Sequence, residues 1–231
     1  MTIHIKTLGK AELEQISRDQ VRQQQEWRNL PLEGLKVECC GQSFTVLPNV
    51  FPPRSDTQFL VENLHIQSGA KVLDVGTGTG ALAVFAVRMG ARKVVAVDLN
   101  PDAVRNTDLN VDEHDMKNSI DVRVSDGFSA ISGTEMFDLI LANLPGRSAT
   151  AGDVVEAAQW DTGFRTHQSF FSDAPSHLNN GGRILMTKAN YPEINDVVSL
   201  AESAGLSVSV AAKMVPPDSD PRTYYLLEFR T

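Results

Sequence analysis

Residues 72–80 read Val-Leu-Asp-Val-Gly-Thr-Gly-Thr-Gly, with the Asp74 carboxylate two positions ahead of the first of three alternating glycines. Glycine is required where a chain turns tightly or brings its backbone against a ligand. Gly76, Gly78 and Gly80, with Thr77 among them, fill such positions, and an acid beside them suits a ligand that carries positive charge. More polar groups stand at the ends of later apolar runs. Asp98, followed by Leu99, closes residues 94–97. It lies about 20 residues past the loop, where an acid meets ribose hydroxyls in doubly wound folds. Asp126-Gly127-Phe128 follows the run 121–124 and sets an acid and an aromatic where an adenine amino group and ring face can be read. Asn143 ends the run Phe137–Ala142 and carries a donor and an acceptor on one planar amide.

Strands and helices must hold these groups. Lys71–Val75 has the β-branched, apolar character of a buried strand, and residues 81–89 are good helix formers. Strand, glycine loop and helix make the first half of a doubly wound unit, which binds ligands at the carboxyl ends of its strands. Two kinds of cofactor compete for it. Gly76-x-Gly78-x-x-Ala81 meets a relaxed dinucleotide fingerprint, and Asp98 serves either kind. A dinucleotide, however, brings an anionic pyrophosphate to the loop, where Asp74 repels it. S-adenosylmethionine has no phosphate; it carries a sulfonium and an ammonium, and Asp74 can hold the ammonium directly or through water.

Asp74, Asp98, Asp126 and Asn143 recur in this order over residues 71–147, a pattern that resembles the class I S-adenosylmethionine-dependent methyltransferases. The resemblance implies an α/β fold, a Rossmann-like doubly wound seven-stranded sheet whose last two strands form a hairpin-like edge. It implies S-adenosylmethionine as cofactor, with S-adenosylhomocysteine as product. A hairpin followed by Pro53-Arg54-Ser55-Asp56-Thr57-Gln58 narrows it. That segment resembles the Pro-Arg-x-Asp/Glu-Thr-Glu stretch of the glutamine methyltransferases that modify translation release factors and a ribosomal protein, within the methyltransferase small domain group. Arg54 and Thr57 are then implied to lie near the donor. Residues 156–163, followed by Phe164 and His167, resemble the substrate-side loop of the same enzymes. The tetrad after the fourth strand departs from them. They carry Asn-Pro-Pro-Tyr, in which the asparagine and a proline carbonyl grip a planar amino group beneath an aromatic ring. Here the tetrad is Asn143-Leu144-Pro145-Gly146. Asn143 and Pro145 are retained as the catalytic pair, and the ring must come from elsewhere. Trp160 and Tyr191 are the aromatic candidates for substrate contact, while Phe170 and Phe171 read as helix core.

Sulfonium methyl transfer is an in-line displacement, governed mainly by holding the nucleophile about 3–3.5 Å from the methyl carbon. Asn143 is expected to orient that atom, and Asp161 and His167 are candidates to take its proton. Around this centre, residues 11–29 form a glutamine-rich helix with Leu13, Ile16, Val21 and Trp27 loosely in phase, a lid, a dimer contact or a cover for the core. Residues 35–39 and 43–47 flank Gly41-Gln42 as a hairpin, and a helix capped by Ser55 or Asp56 runs to about residue 64. Strand 182–187, helix 192–204 and strands 206–211 and 224–229, the last two joined through Pro216-Pro217-Asp218, complete the chain. Residues 1–54 thus form a helix and hairpin appendage, and residues 55–231 the cofactor-binding domain.

The 231 residues, 42% of them hydrophobic, suffice for one full core. A net charge of −8 and a pI near 5.1 argue against a broad basic face for nucleic acid. No apolar stretch of about 18 residues is present to span a membrane, and the opening residues lack a secretory core, so a cytoplasmic protein is expected. Cys39 and Cys40 are adjacent, a poor geometry for a disulfide, and the histidines are scattered, so no metal site is assigned. The reading is a methyltransferase acting on nitrogen, in preference to oxygen, of a small molecule or peptide, as a monomer or homodimer. Glutamine methylation of a translation factor or ribosomal protein is the second reading. A donor-binding module without catalysis is the third.

Overall fold

The computed structural model describes residues 3–216 and 220–231. In chain order it contains α1 (Lys10–Arg28), β1 (Leu35–Cys39), β2 (Gln42–Val46), α2 (Ser55–Glu62), β3 (Lys71–Val75), α3 (Ala81–Arg88), β4 (Lys93–Asp98) and α4 (Pro101–Glu113). There follow β5 (Ile120–Val124), β6 (Phe137–Ala142), α5 (Arg165–Asp173), β7 (Leu178–Ala189), α6 (Ile194–Ser203), β8 (Ser207–Met214) and β9 (Tyr224–Arg230). Strands β1 and β2 form a separate antiparallel hairpin, and the other seven form the expected sheet in the order β5-β4-β3-β6-β7-β9-β8. The first five run parallel, and β9 is antiparallel to both neighbours. The chain winds outward from β3 to β5 and then returns to the other side of β3 as β6. That reversal opens a crevice at the carboxyl ends of β3 and β6, where doubly wound sheets hold their ligands.

Both faces of the central strands are covered, so these strands are apolar throughout rather than alternating. Val72, Val94, Ala96, Leu139 and Leu141 pack with α2 and α3 on one face. Their neighbours Leu73, Val95, Val97, Ile140 and Ala142 pack with α5 and α6 on the other. Asp74 is the exception, a carboxyl with no exposed surface inside a strand that otherwise reads as core.

The N-terminal segment is built into the same body. Leu8 and Ile16 belong to the first cluster and Ile5 to the second, and the Leu8 N–H donates to the Asn190 carbonyl at 3.0 Å. Helix α1 turns Ile16, Gln20, Gln24 and Trp27 inward. Val21, expected on that stripe, is 42% exposed, because glutamines take part of the buried face. The hairpin is clamped by two buried asparagines of α4. Asn106 accepts from the Leu47 N–H at 2.7 Å and donates to the Thr45 carbonyl. Asn110 accepts from the Thr45 N–H at 2.8 Å and donates to the carbonyls of Thr45 and Thr79.

Element bounds match the sequence expectations to within a few residues, with informative exceptions. Strand β7 runs on past Thr187, placing Lys188 within the sheet. Cys40 occupies the hairpin turn, and both cysteines are free thiols. In the expected Pro216-Pro217-Asp218 junction, Pro217 and Asp218 lie outside the described residues. No helix among the described residues is long and apolar enough to cross a membrane.

Candidate active site

The glycine loop is pinned to the next strand. The Gly76 and Thr77 N–H groups donate to the Val97 carbonyl at 2.9 and 3.0 Å, and the Gly78 N–H donates to Asp98 Oδ2 at 2.9 Å. Asp98 Oδ1 accepts from the Asn100 N–H, so this carboxylate organises the loop and also lines the crevice. Gly76 and Gly78 have φ of 74° and 59°, a region that side chains rarely adopt, and both face the cavity. Gly80 does not. Its φ is 80°, and a Cβ there would fall 2.8 Å from Thr107 Cγ2, so it serves helix packing instead of ligand contact.

Asp74 also differs from a directly contacting group, because it lies one layer behind the loop. Its Oδ2 accepts from the Thr77 hydroxyl at 2.7 Å, and Oδ1 has no protein partner. Burial pushes its carboxyl up to about 7; the Thr77 hydrogen bond opposes the rise and the Asp98 charge adds to it.

The crevice is one cavity. On the donor side, Gly76, Thr77 and Gly78 face Leu99, Asp126, Gly127 and Leu144. Phe128, expected to present a ring face here, packs instead against Phe170 and His177 in the core. The other side draws its wall from distant segments. Asn143 donates through Nδ2 to Asp56 Oδ2 at 3.2 Å and, more weakly, to Thr57 Oγ1 at 3.5 Å. A carboxylate only accepts, so this pairing fixes the amide and leaves Oδ1 as its free acceptor. Lys188 enters from the end of β7, donating to the carbonyls of Pro145 at 2.7 Å and Leu144 at 3.1 Å. Burial lowers its ammonium to about 7, although Asp161, Glu193 and Asp56 favour the charged form.

The ring missing from position 146 has a substitute. A Cβ on Gly146 would fall 2.6 Å from Tyr191 Cε2, so the Tyr191 ring fills the space that a side chain at 146 would enter. The Arg147 guanidinium lies over that ring at 5.5 Å and reaches the Ser17 hydroxyl on α1. Arg222, held by Asp220 at 2.6 Å, stands over Tyr224, and both line the cavity, as does Gln20 of α1.

Four expected substrate residues do not line the cavity. Trp160 donates its indole N–H to Gln20 Oε1 and forms a bridge with Arg147, fastening the wall to α1. Asp161 and His167 are a buried pair behind that wall, with His167 Nδ1 donating to Asp161 Oδ2 at 2.7 Å. Asp161 also caps the start of α5 by accepting from the N–H groups of Thr166 and His167. Burial raises its carboxyl, but these hydrogen bonds outweigh it and hold the group low. Burial and the Lys188 charge bring His167 down to about 4 against the pull of Asp161, so the imidazole is neutral near pH 7. Arg54 turns its guanidinium toward Trp27, 5.9 Å from the ring centroid, while Thr57 and Asn143 face the cavity. Sequence reading missed Asp56, seen only as a helix cap, and gave no role to Lys188, Arg222 or Gln20. A lysine closing the apolar run Ile184 to Thr187 was the one available signal.

The cavity fits S-adenosylmethionine. It combines a side-chain-free cradle at Gly76 and Gly78, an acid at Asp98 for hydroxyls and a second acid at Asp126; one layer behind the loop, Asp74 keeps a buried carboxyl oxygen without a partner. The comparisons agree. The family model described as "methyltransferase small domain" matches residues 42–212. A release factor glutamine methyltransferase of Cereibacter sphaeroides is 32% identical over 79% of this chain and 67% of its own length. A putative protein N5-glutamine methyltransferase of Methanocaldococcus jannaschii is 26% identical over 78% of this chain and 93% of its own. A 16S rRNA methyltransferase of T. thermophilus, solved with AdoMet and guanosine, shares the fold at a TM-score of 0.62 and 24% identity, over 84% of this chain and 49% of its own. This chain therefore belongs to the methyltransferase small domain family and is an S-adenosylmethionine-dependent methyltransferase.

Proposed function

We propose that the chain methylates a nitrogen atom, held at Asn143, of a small molecule or peptide. The orientation of the Asn143 amide carries this reading: with Nδ2 committed to Asp56 and Thr57, Oδ1 is left to accept a hydrogen bond, and an acceptor N–H supplies it. The bound cofactor supplies an electrophilic methyl on sulfur. Asp98 and Asp126 hold its nucleoside, and Gly76, Thr77 and Gly78 approach it through backbone. Leu99 and Leu144 give the donor side its apolar surface. Asp74 answers the ammonium from behind the loop, its carboxylate form stabilised by that charge. Pro145 acts through its carbonyl and Tyr191 through its ring, beside the nitrogen. Residues 1–54 then work as one body with residues 55–231, with Gln20 of α1 contributing to the acceptor side.

The names of the two relatives favour a second reading, transfer to a glutamine side chain of a protein. Methyl label from S-adenosylmethionine, added with the enzyme to a cell extract that is then separated by size, tests both. Label in solutes and short peptides is expected. Label confined to a protein band favours glutamine methylation of a large partner, and label in RNA or in no fraction overturns the proposal.

A further inference from the structure

Lys188 is a buried ionisable group on the acceptor side with no chemistry yet assigned. Its Nζ sits 2.7 and 3.1 Å from two carbonyls, those of Pro145 and Leu144, and its side chain forms cavity wall beside Asn143 and Tyr191. A neutral amine has two N–H bonds and one lone pair. Two carbonyls take the two N–H bonds, and the lone pair is directed away from both. An ammonium so placed would keep a third N–H in a site where Lys188 is only 4% exposed. The titratable groups around it are Asp56 on α2, Asp161 ahead of α5, Glu193 before α6 and His167, which is neutral near pH 7; the three carboxylates act at longer range, without hydrogen bonds to Nζ.

We propose that the Lys188 amine is the general base that takes the proton leaving the acceptor nitrogen. The proposal rests on the reading of this cavity as the acceptor side. As the nitrogen–methyl bond forms and the methyl–sulfur bond breaks, the nitrogen becomes cationic and its N–H bond breaks toward the Lys188 lone pair. The products are the N-methyl acceptor, a neutral thioether and a Lys188 ammonium that returns its proton to solvent. Such a base is useful only where the methylated cation is a stronger acid than Lys188. That condition holds for a planar, conjugated nitrogen, a carboxamide or an aromatic amine; an aliphatic amine product would keep its proton. The base role thus goes with a planar nitrogen, the kind of group that the flat Asn143 amide and the Tyr191 ring also suit.

Two measurements test the assignment. In the complex with S-adenosylhomocysteine, lysine side-chain NMR should show a resonance that is lost in Lys188→Arg and titrates near neutrality; titration at the ordinary lysine value of about 10.4 overturns the base role. That result stands whether or not an acceptor is found, so it separates failure of this inference from failure of the proposed function. The second uses labelled S-adenosylmethionine and the extract fraction that accepts label. Lys188→Arg keeps the donors to both carbonyls but lacks a usable lone pair, and should cut transfer by about 10²–10⁴-fold at unchanged S-adenosylhomocysteine affinity. The wild-type rate should rise with pH through the Lys188 titration. An arginine variant with wild-type rate and pH profile means that Lys188 merely braces the Leu144 and Pro145 carbonyls.

Discussion

The two sides of the cavity are built differently. The donor side is mostly short loops at the ends of β3, β4 and β5, and its contacts are made largely by backbone and by Asp98, which holds Gly78 and Asn100 together. The acceptor side takes Gln20, Asp56, Asn143, Lys188, Tyr191, Arg222 and Tyr224 from segments scattered along the whole chain. A cofactor of fixed shape can be met by one local motif, whereas a particular acceptor is met by whatever side chains the finished fold brings together. Binding and turnover should accordingly be separable by mutation.

Asn143→Ala tests this separation most directly. Transfer should fall by about 10²–10³-fold, the usual loss for one orienting hydrogen-bonding group, while calorimetry with S-adenosylhomocysteine shows unchanged affinity. A parallel loss of affinity would mean that the two sides are one unit. Asp98→Ala is the converse experiment and should weaken S-adenosylhomocysteine by about tenfold to a hundredfold, since hydrogen bonds to a charged group contribute about 1.5–3 kcal/mol. Retained affinity would remove Asp98 from the donor side. His167→Ala probes the layer behind the acceptor wall. It should lower the free energy of unfolding in urea by about 2 kcal/mol, through loss of a buried hydrogen bond to a carboxylate, with donor affinity unchanged. Asp74→Asn is read as a difference in slope. A carboxyl raised from 3.8 to about 7 binds its proton more tightly in the folded chain, so its stabilising contribution is complete below the unfolded value and is lost as pH rises through 7. Thermal melts of the ligand-free wild type should therefore decline relative to Asp74→Asn between pH 4 and about 8; parallel curves would show that burial leaves the Asp74 carboxyl unshifted.

The contrast also explains what could be read in advance. The individual strands, the glycine loop and the place of Asp98 at the end of β4 were legible because they depend on local patterns, β-branched runs buried on both faces and glycines where φ is positive. The seven-stranded sheet, by contrast, came through the family resemblance, and its strand order from the fold alone. Asp161 and His167 were misplaced because a loop that resembles a substrate loop can turn its polar groups inward, here to cap α5 and pair in the core. Asp56 was read as a helix cap, which gave no hint that Asn143, far along the chain, would reach it. Tyr191 was recognised as a candidate, but its relation to Gly146 is a contact between two chain segments, and no periodicity reports such a contact.

The two asparagines of α4 give the small β1–β2 hairpin a further property. Their amides do for β2 what a neighbouring strand would do, and Asn110 holds Thr79, in the glycine loop, with the same side-chain nitrogen. An isolated two-stranded hairpin is marginal in water and opens on its own. This one is locked to the cofactor loop, so the Thr45 and Leu47 amide protons should exchange with deuterium as slowly as those of β3, opening only when the whole molecule unfolds.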